Sequence, residues 1–252
     1  MASLFAITLL AWIYLVGMAC EMAEMGDMVG MSDMADMAGM ALVTPRAHWT
    51  VGDVLTATAM WAVMMAGMML PTALPMTLVY TAAIPRRGAA PLLHSSIFTA
   101  GYLATWSGFA IAAVAVQWLL LRFDVFAPEM MVTSTLLGGL FFVGAGLYEW
   151  SPLKNRCLAL CQSPLGFLIA HWRPGIAGAL RMGARHGIYC LGCCWALMLL
   201  LFVGGVMNLF WVAALSALVL LQKLVPGRHT AQASGLAMLI VGLFLIGKAI
   251  IA

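Results

Sequence analysis

Three groups of sulfur-containing side chains have spacings suited to binding a soft metal ion. The chain has 21 methionines and six cysteines among its 252 residues. Thioethers and thiolates are soft ligands, which favour Cu(I) and related ions over hard cations such as Mg²⁺. Metal binding through sulfur is therefore the first chemistry that the sequence indicates.

The first group is a repeat of seven triplets from Glu21 to Ala41, each with an acidic residue or glycine, a methionine and a small residue. A period of three drifts by about 60° per step on an α-helix, so packing against one core does not explain it. A polyproline-like chain would align the thioethers, and the interleaved carboxylates would attract cations. We expect the repeat to collect Cu(I), the alternative being a disordered low-complexity linker. Its methionines are Met22, Met25, Met28, Met31, Met34, Met37 and Met40.

The second group lies in an apolar segment that precedes Pro71 and Pro75. Spacings of four place its methionines on two adjacent stripes of one helix. The two prolines should free backbone carbonyls and kink that helix. These side chains either relay a metal ion or fill gaps in a helical core. They are Met60, Met64, Met65, Met68 and Met69.

The third group contains five cysteines in two motifs, Cys-x3-Cys and Cys-x2-Cys-Cys. Together they supply enough thiolates for a trigonal or tetrahedral soft-metal site. The second motif also belongs to a series with a spacing of four, which would stack on one helical stripe for about 18 Å. The motifs are Cys157 with Cys161 and Cys190 with Cys193 and Cys194, and the series is His186, Cys190, Cys194 and Met198.

Other roles for these cysteines remain open. Cys190 and Cys193 could form a thiol-disulfide redox pair, the thiolates could hold a structural zinc ion, or the side chains could simply be buried. A cytoplasmic position argues against a stable disulfide, because that compartment keeps thiols reduced. Cys20 stands apart, either as a further ligand of the methionine repeat or as an incidental thiol.

Composition predicts the fold that positions these groups. The chain is 64% hydrophobic and 8% charged, which is typical of an all-α, polytopic membrane bundle in contact with lipid. Apolar stretches predict about seven transmembrane helices, and the uncharged run from Gly187 to Leu221 must be divided at a turn, which we place between Gly204 and Asn208. The spans are Ser3–Ala19, Val54–Ile84, Ser95–Leu121, Met130–Trp150, Gly187–Met207, Leu209–Leu221 and Ala231–Ala252.

Lysine and arginine gather in alternate connections, which predicts a cytoplasmic N-terminus and an outer methionine loop. We expect a first helix over 1–20, retained rather than cleaved as a signal, an outer loop over 21–53 and a six-helix domain over 54–252. The cysteine-containing connection over 151–186 should be cytoplasmic. The net charge of +3 offers no basic surface of the size that nucleic acid needs.

Four segments resemble a bacterial family of predicted metal-binding integral membrane proteins. They are WAVMMAGMMLPTALP (61–75), GYLATW (101–106), LYEWSPLKNRCLALCQSP (147–164) and RHGIYCLGCCWALMLLLFVGGVMNLFW (185–211). Its members are described as copper chaperones of the kind that accompany a polyphenol oxidase. One departure is Gln222, where the family is expected to have an acid. The resemblance implies metal-related roles for Cys157, Cys161, Cys190, Cys193, Cys194, Met198, Met207, Met68 and Met69.

The sequence therefore predicts a copper chaperone or accessory subunit, not an enzyme, in the bacterial inner membrane with its methionine loop in the periplasm. Its cargo would be Cu(I), with zinc as the alternative metal. Its partner would be a copper-dependent oxidase or monooxygenase. The competing functions are a thiol-disulfide redox protein that uses Cys190 and Cys193 and a structural zinc-binding subunit.

Overall fold

The computed structural model describes residues 6, 8–18, 20, 49–84, 91–123, 134–206 and 208–251. Within these ranges the chain is helical, apart from turns and short connections, and contains no strand. The all-α prediction is confirmed. The helices are α1 Thr8–Met18, α2 Val51–Ala83, α3 Pro91–Arg122, α4 Thr135–Glu149, α5 Pro152–Gln162, α6 Pro164–His171, α7 Gly175–Leu199, α8 Leu201–Gly204, α9 Leu209–Leu224 and α10 His229–Ile251.

Four helical segments are long and apolar enough to cross a membrane: α2, α3, the combined α7 and α8, and α10. Three further apolar helices, α1, α4 and α9, coincide with predicted spans but are shorter than 18 residues. Because a straight span needs about 20 residues, four of the seven predicted spans are confirmed by length and composition. The complete seven-span topology stays a prediction.

Large apolar side chains cover the outside of the bundle. Ile111 of α3, Phe210 of α9 and Phe244 of α10 are 60%, 82% and 67% exposed. A continuous apolar surface of this kind is unfavourable in water and favourable in lipid. The exterior is therefore compatible with a membrane protein.

The predicted turn after Gly204 is confirmed, and the helix before it begins earlier than the predicted span. Gly205 has a φ of +89°, a backbone conformation that favours glycine, and it separates α8 from α9. The side chain of Asn208 then accepts a hydrogen bond from the Trp211 N–H and caps α9. At its other end, α7 begins at Gly175 rather than Gly187, so helix replaces the last part of the predicted connection over 151–186. Arg181 and Arg185 therefore lie within α7.

Helix α2 continues through both prolines, and one carbonyl that they free has a partner. Pro71 has no N–H to donate to the Gly67 carbonyl four residues earlier. The indole Nε1 of Trp12 donates to that carbonyl instead, at 3.3 Å. The carbonyl left unpaired within α2 therefore accepts the hydrogen bond that holds α1 against α2.

Glycines allow two helix pairs to approach closely, as small residues do in membrane bundles. Helix α3 packs along α7, and α4 packs along α10. A Cβ atom at Gly183 would lie 1.9 Å from the Phe98 carbonyl oxygen, and one at Gly101 would lie 2.3 Å from the Leu180 carbonyl oxygen. Only glycine permits this spacing between α3 and α7.

We expect Gly183→Ala to destabilise the bundle by about 1–3 kcal/mol, because the added methyl group overlaps backbone that cannot rotate away. Thermal unfolding of the full chain in detergent measures the effect. Gly108→Ala on α3 is the matched control, since a Cβ there meets nothing within 4 Å. Equal melting temperatures for the two variants would contradict the close α3–α7 packing.

Candidate metal centre

Helix α7 carries three of the predicted cysteine ligands into the centre of the bundle. Cys190, Cys193 and Cys194 are 0%, 2% and 1% exposed. The thiols of Cys193 and Cys194 each donate to the Cys190 carbonyl oxygen at 3.0 Å. The three side chains therefore lie around one turn of α7, with their thiols bonded inside the protein.

Helix α5 brings the other two predicted cysteines to the same turn. A Cβ at Gly192 would lie 2.7 Å from the Cys157 Sγ, so α5 crosses α7 where α7 has no side chain. Cys161 is half-buried and packs against the same hydrophobic cluster that contains Cys193. Burial raises the pKa of the Cys157 thiol, and the nearby Cys193 adds to the rise. The structure thus brings the two cysteine motifs together, as the sequence predicted.

A lysine and a tyrosine that sequence reasoning did not select also contact the cluster. The Lys223 Nζ donates to the Cys190 Sγ and to the Thr72 Oγ1, both at 2.8 Å. The Tyr102 hydroxyl lies 3.0 Å from the same sulfur. Lys223 lies beyond the predicted span Leu209–Leu221, but α9 continues to Leu224 and the lysine is only 8% exposed.

The methionine stretch of α2 reaches the cysteine cluster at its C-terminal end. Its five predicted metal positions are all buried, at 5% exposure or less, in the hydrophobic cluster that also contains Cys190, Cys193 and Cys194. The Tyr102 hydroxyl donates to the Met69 carbonyl at 3.1 Å while it contacts the Cys190 sulfur. One hydroxyl group therefore links the end of the methionine stretch to a cysteine.

The series with a spacing of four lies on the single helix α7, but its first member has a different environment. The ring of His186 packs against the rings of Tyr102, Phe98 and Phe167. Its Nδ1 is buried and has no hydrogen-bond partner among the described residues. Met198, at the other end, is fully buried in the same cluster as the cysteines. Met207 and the seven loop methionines from Met22 to Met40 lie outside the described residues.

The cysteines are close together without forming a ready coordination shell. All six cysteines of the chain are free thiols. Within the described ranges, no group of three or more His, Cys, Asp or Glu side chains is arranged to hold a metal ion. The thiols of Cys193 and Cys194 donate to the Cys190 carbonyl. The Cys190 sulfur instead contacts Tyr102 and Lys223, so the three sulfur atoms have different partners. Ligation by these residues therefore stays a prediction.

A buried polar network holds α5 in its place beside the cluster. Lys154 forms an ion pair with Glu149, and both side chains are fully buried. The Lys154 Nζ also donates to the Gln222 Oε1 at 2.8 Å, and the Gln222 Nε2 donates to the Glu149 Oε2 at 2.8 Å. The Ser234 hydroxyl completes the network with a 3.1 Å bond to Glu149. Gln222 thus satisfies both charges, and the network joins α4, α5, α9 and α10.

One protein-family model matches the chain over residues 58–245 and is described as PpoB2, copper chaperone. This range contains all five clustered cysteines and the methionine stretch of α2. It also agrees with the family resemblance of the sequence motifs. No curated protein and no solved structure matches the chain.

We expect Glu149→Leu to destabilise the protein by about 3–5 kcal/mol, because it leaves the Lys154 ammonium buried without its counter-charge. Glu149→Leu combined with Lys154→Met should recover most of that loss, since no uncompensated charge remains. Thermal unfolding in detergent compares the two variants. A double variant no more stable than Glu149→Leu would show that the ion pair is not what the single substitution breaks.

Proposed function

Since the chain belongs to the PpoB2 copper chaperone family, we propose that it binds Cu(I) inside a membrane bundle and delivers it to a copper-dependent enzyme. The observation that carries this proposal is the Tyr102 hydroxyl, which contacts both the Met69 carbonyl and the Cys190 sulfur. Through it, a stretch of neutral thioether ligands ends at a cluster of thiols. A soft monovalent ion can use both kinds of ligand.

The proposed setting is the bacterial inner membrane, crossed seven times, with the N-terminus in the cytoplasm. Three apolar helices supplement the four long ones, and the basic connections support this orientation. The acid-Met triplet loop then faces the periplasm, where it collects or releases Cu(I). The receiving partner is a copper-dependent oxidase or monooxygenase, in keeping with the chaperone description of the family.

The proposed transfer is an exchange of ligands without any change in the oxidation state of copper. Thioethers of the loop hold the ion weakly, and those of α2 pass it inward along Met60, Met64, Met65, Met68 and Met69. Thiolates of Cys190, Cys193 and Cys194, with Cys157 and Cys161 from α5, then hold it more tightly because they are anionic. Each thiol that binds the ion rotates away from its present hydrogen-bond partner and releases its proton to the solvent as the Cu–S bond forms; release of the ion takes the proton up again. No bond of a substrate is broken, so the protein is not an enzyme.

Lys223 has a defined part in this proposal. Two thiolates with one Cu(I) carry a net charge of −1, which is unfavourable in a site of low dielectric constant. The Lys223 ammonium, 2.8 Å from the Cys190 sulfur, offsets that charge. The lysine therefore stabilises a Cu(I)-thiolate complex more than it repels the incoming cation.

The direct test is metal analysis of the full chain, purified in mild detergent under anaerobic, reducing conditions and titrated with Cu(I). The variant Cys190→Ser/Cys193→Ser/Cys194→Ser should lose the tightest Cu(I) equivalent. Cys20→Ser is the control, since Cys20 is exposed and distant from the cluster in sequence. Bound zinc without Cu(I) would favour a structural zinc site. No bound metal together with a Cys190–Cys193 disulfide would favour a redox protein.

Substitution of Lys223 by methionine tests the role of its charge. We expect Lys223→Met to weaken Cu(I) binding at the cysteine cluster by at least about tenfold, because the anionic complex loses its counter-charge. Lys248→Met, which removes an exposed charge from α10, should leave the affinity unchanged. Affinity is measured by competition with a chromophoric Cu(I) chelator. Unchanged or tighter binding in Lys223→Met would contradict this role.

A further inference from the structure

A small, largely enclosed cavity lies where α1, α2 and α9 meet. It is at the end of the bundle to which the acid-Met loop connects, opposite the basic connections. Two of its walls come from the end of α1 and the first half of α2, and the third comes from the turn before α9 and the start of that helix. The lining residues are Leu15, Met18, Met60, Met64, Val206, Leu209 and Val212.

Among the described residues that line this cavity, three methionines provide the only ligand-forming side chains. Met60 and Met64 are one helical turn apart on α2 and are 5% and 2% exposed. Met18 reaches the cavity from α1, and the other lining side chains that the structure describes are aliphatic. Three neutral sulfur donors without any oxygen or nitrogen donor favour a soft, monovalent ion over Zn²⁺ or Mg²⁺.

The packing of α1 on α2 sets the positions of these three side chains along the helix axes. Trp12 is bonded to the Gly67 carbonyl, and a Cβ at Gly67 would lie 3.3 Å from that of Ala11. From Trp12, six residues along α1 advance about 9 Å to Met18, and from Gly67, seven residues back along α2 cover about 10 Å to Met60. Because the two helices run in opposite directions, both displacements lead to the same end of the bundle. The Trp12 bond therefore places Met18 beside Met60.

We propose that Met18, Met60 and Met64 form a second Cu(I) site, at which the ion enters the bundle from the acid-Met loop. This inference rests on the copper-carrying function proposed above. It adds Met18, which neither the sequence motifs nor the matched range of 58–245 includes. Met18 precedes the first methionine of the triplet repeat, Met22, by four residues.

The entry site is separate from the cysteine cluster. Met69 follows Met60 by nine positions on α2, which corresponds to about 14 Å along the helix axis. Met65 and Met68 occupy the interval and are buried, at 0% and 1% exposure. A single ion cannot contact both ends at once, so the two sites should bind separate equivalents of Cu(I).

The test uses the full chain with its seven triplet methionines, Met22 to Met40, replaced by leucine, so that the loop contributes no thioether. Cu(I) is titrated against a chromophoric chelator, first into this background and then into the same background carrying Met18→Leu. We expect Met18→Leu to weaken one Cu(I) equivalent at least tenfold and to leave the equivalent held by the cysteines intact. Ag(I), which binds thioethers but is not oxidised in air, should give the same loss.

Met238→Leu is the matched control, because Met238 is buried in the same hydrophobic cluster but does not line the cavity. Replacement of methionine by leucine nearly conserves volume, so all variants should fold, as circular dichroism and gel filtration will verify. Identical titrations for Met18→Leu and Met238→Leu would overturn the entry site alone. Absence of any Cu(I) binding in the unmodified chain would overturn the proposed function itself.

Discussion

A buried ammonium group is costly unless polar or anionic partners replace its water, and Lys223 obtains such partners from two other helices. Its bonds to Cys190 and Thr72 hold the C-terminal end of α9 against α7 and α2. Tyr102 of α3 contacts the same Cys190 sulfur, so α3 also packs against this position. This interaction brings the cysteine motif, the methionine stretch and a positive charge together. The candidate metal centre depends on it more than on any single cysteine.

Other buried polar contacts hold neighbouring helices in place around the Lys223–Cys190 contact. The pair of Glu149 with Lys154 fastens α5, and with it Cys157 and Cys161, to α4, α9 and α10. On α2, one turn before Thr72, the Gly67 carbonyl freed by Pro71 fastens α1 through Trp12. Both contacts satisfy polar groups that lipid could not solvate. They hold in place the helices that carry the cysteines and methionines of the candidate metal centre.

Local sequence signals predicted the positions of the helices and the turn better than they predicted the contacts between helices. Apolar length located the helices, and the Gly-Gly pair before Asn208 located the turn, because both depend on neighbouring residues alone. Helix α7 begins before the predicted span, because an arginine is tolerated inside a helix that extends beyond its apolar segment. Lys223, Tyr102 and Met18 were missed because each acts across the bundle, and no spacing along one helix reveals such a contact. A lysine one residue from the end of an apolar helix was the available signal for Lys223.

The proposed function requires that sulfur side chains of this protein alone hold Cu(I). X-ray absorption spectroscopy at the copper edge tests this requirement on the full chain, loaded with Cu(I) in detergent without oxygen. We expect the edge of Cu(I) and a coordination shell made only of sulfur, from thioethers and thiolates. A shell containing nitrogen or oxygen ligands, or the edge of Cu(II), would contradict it.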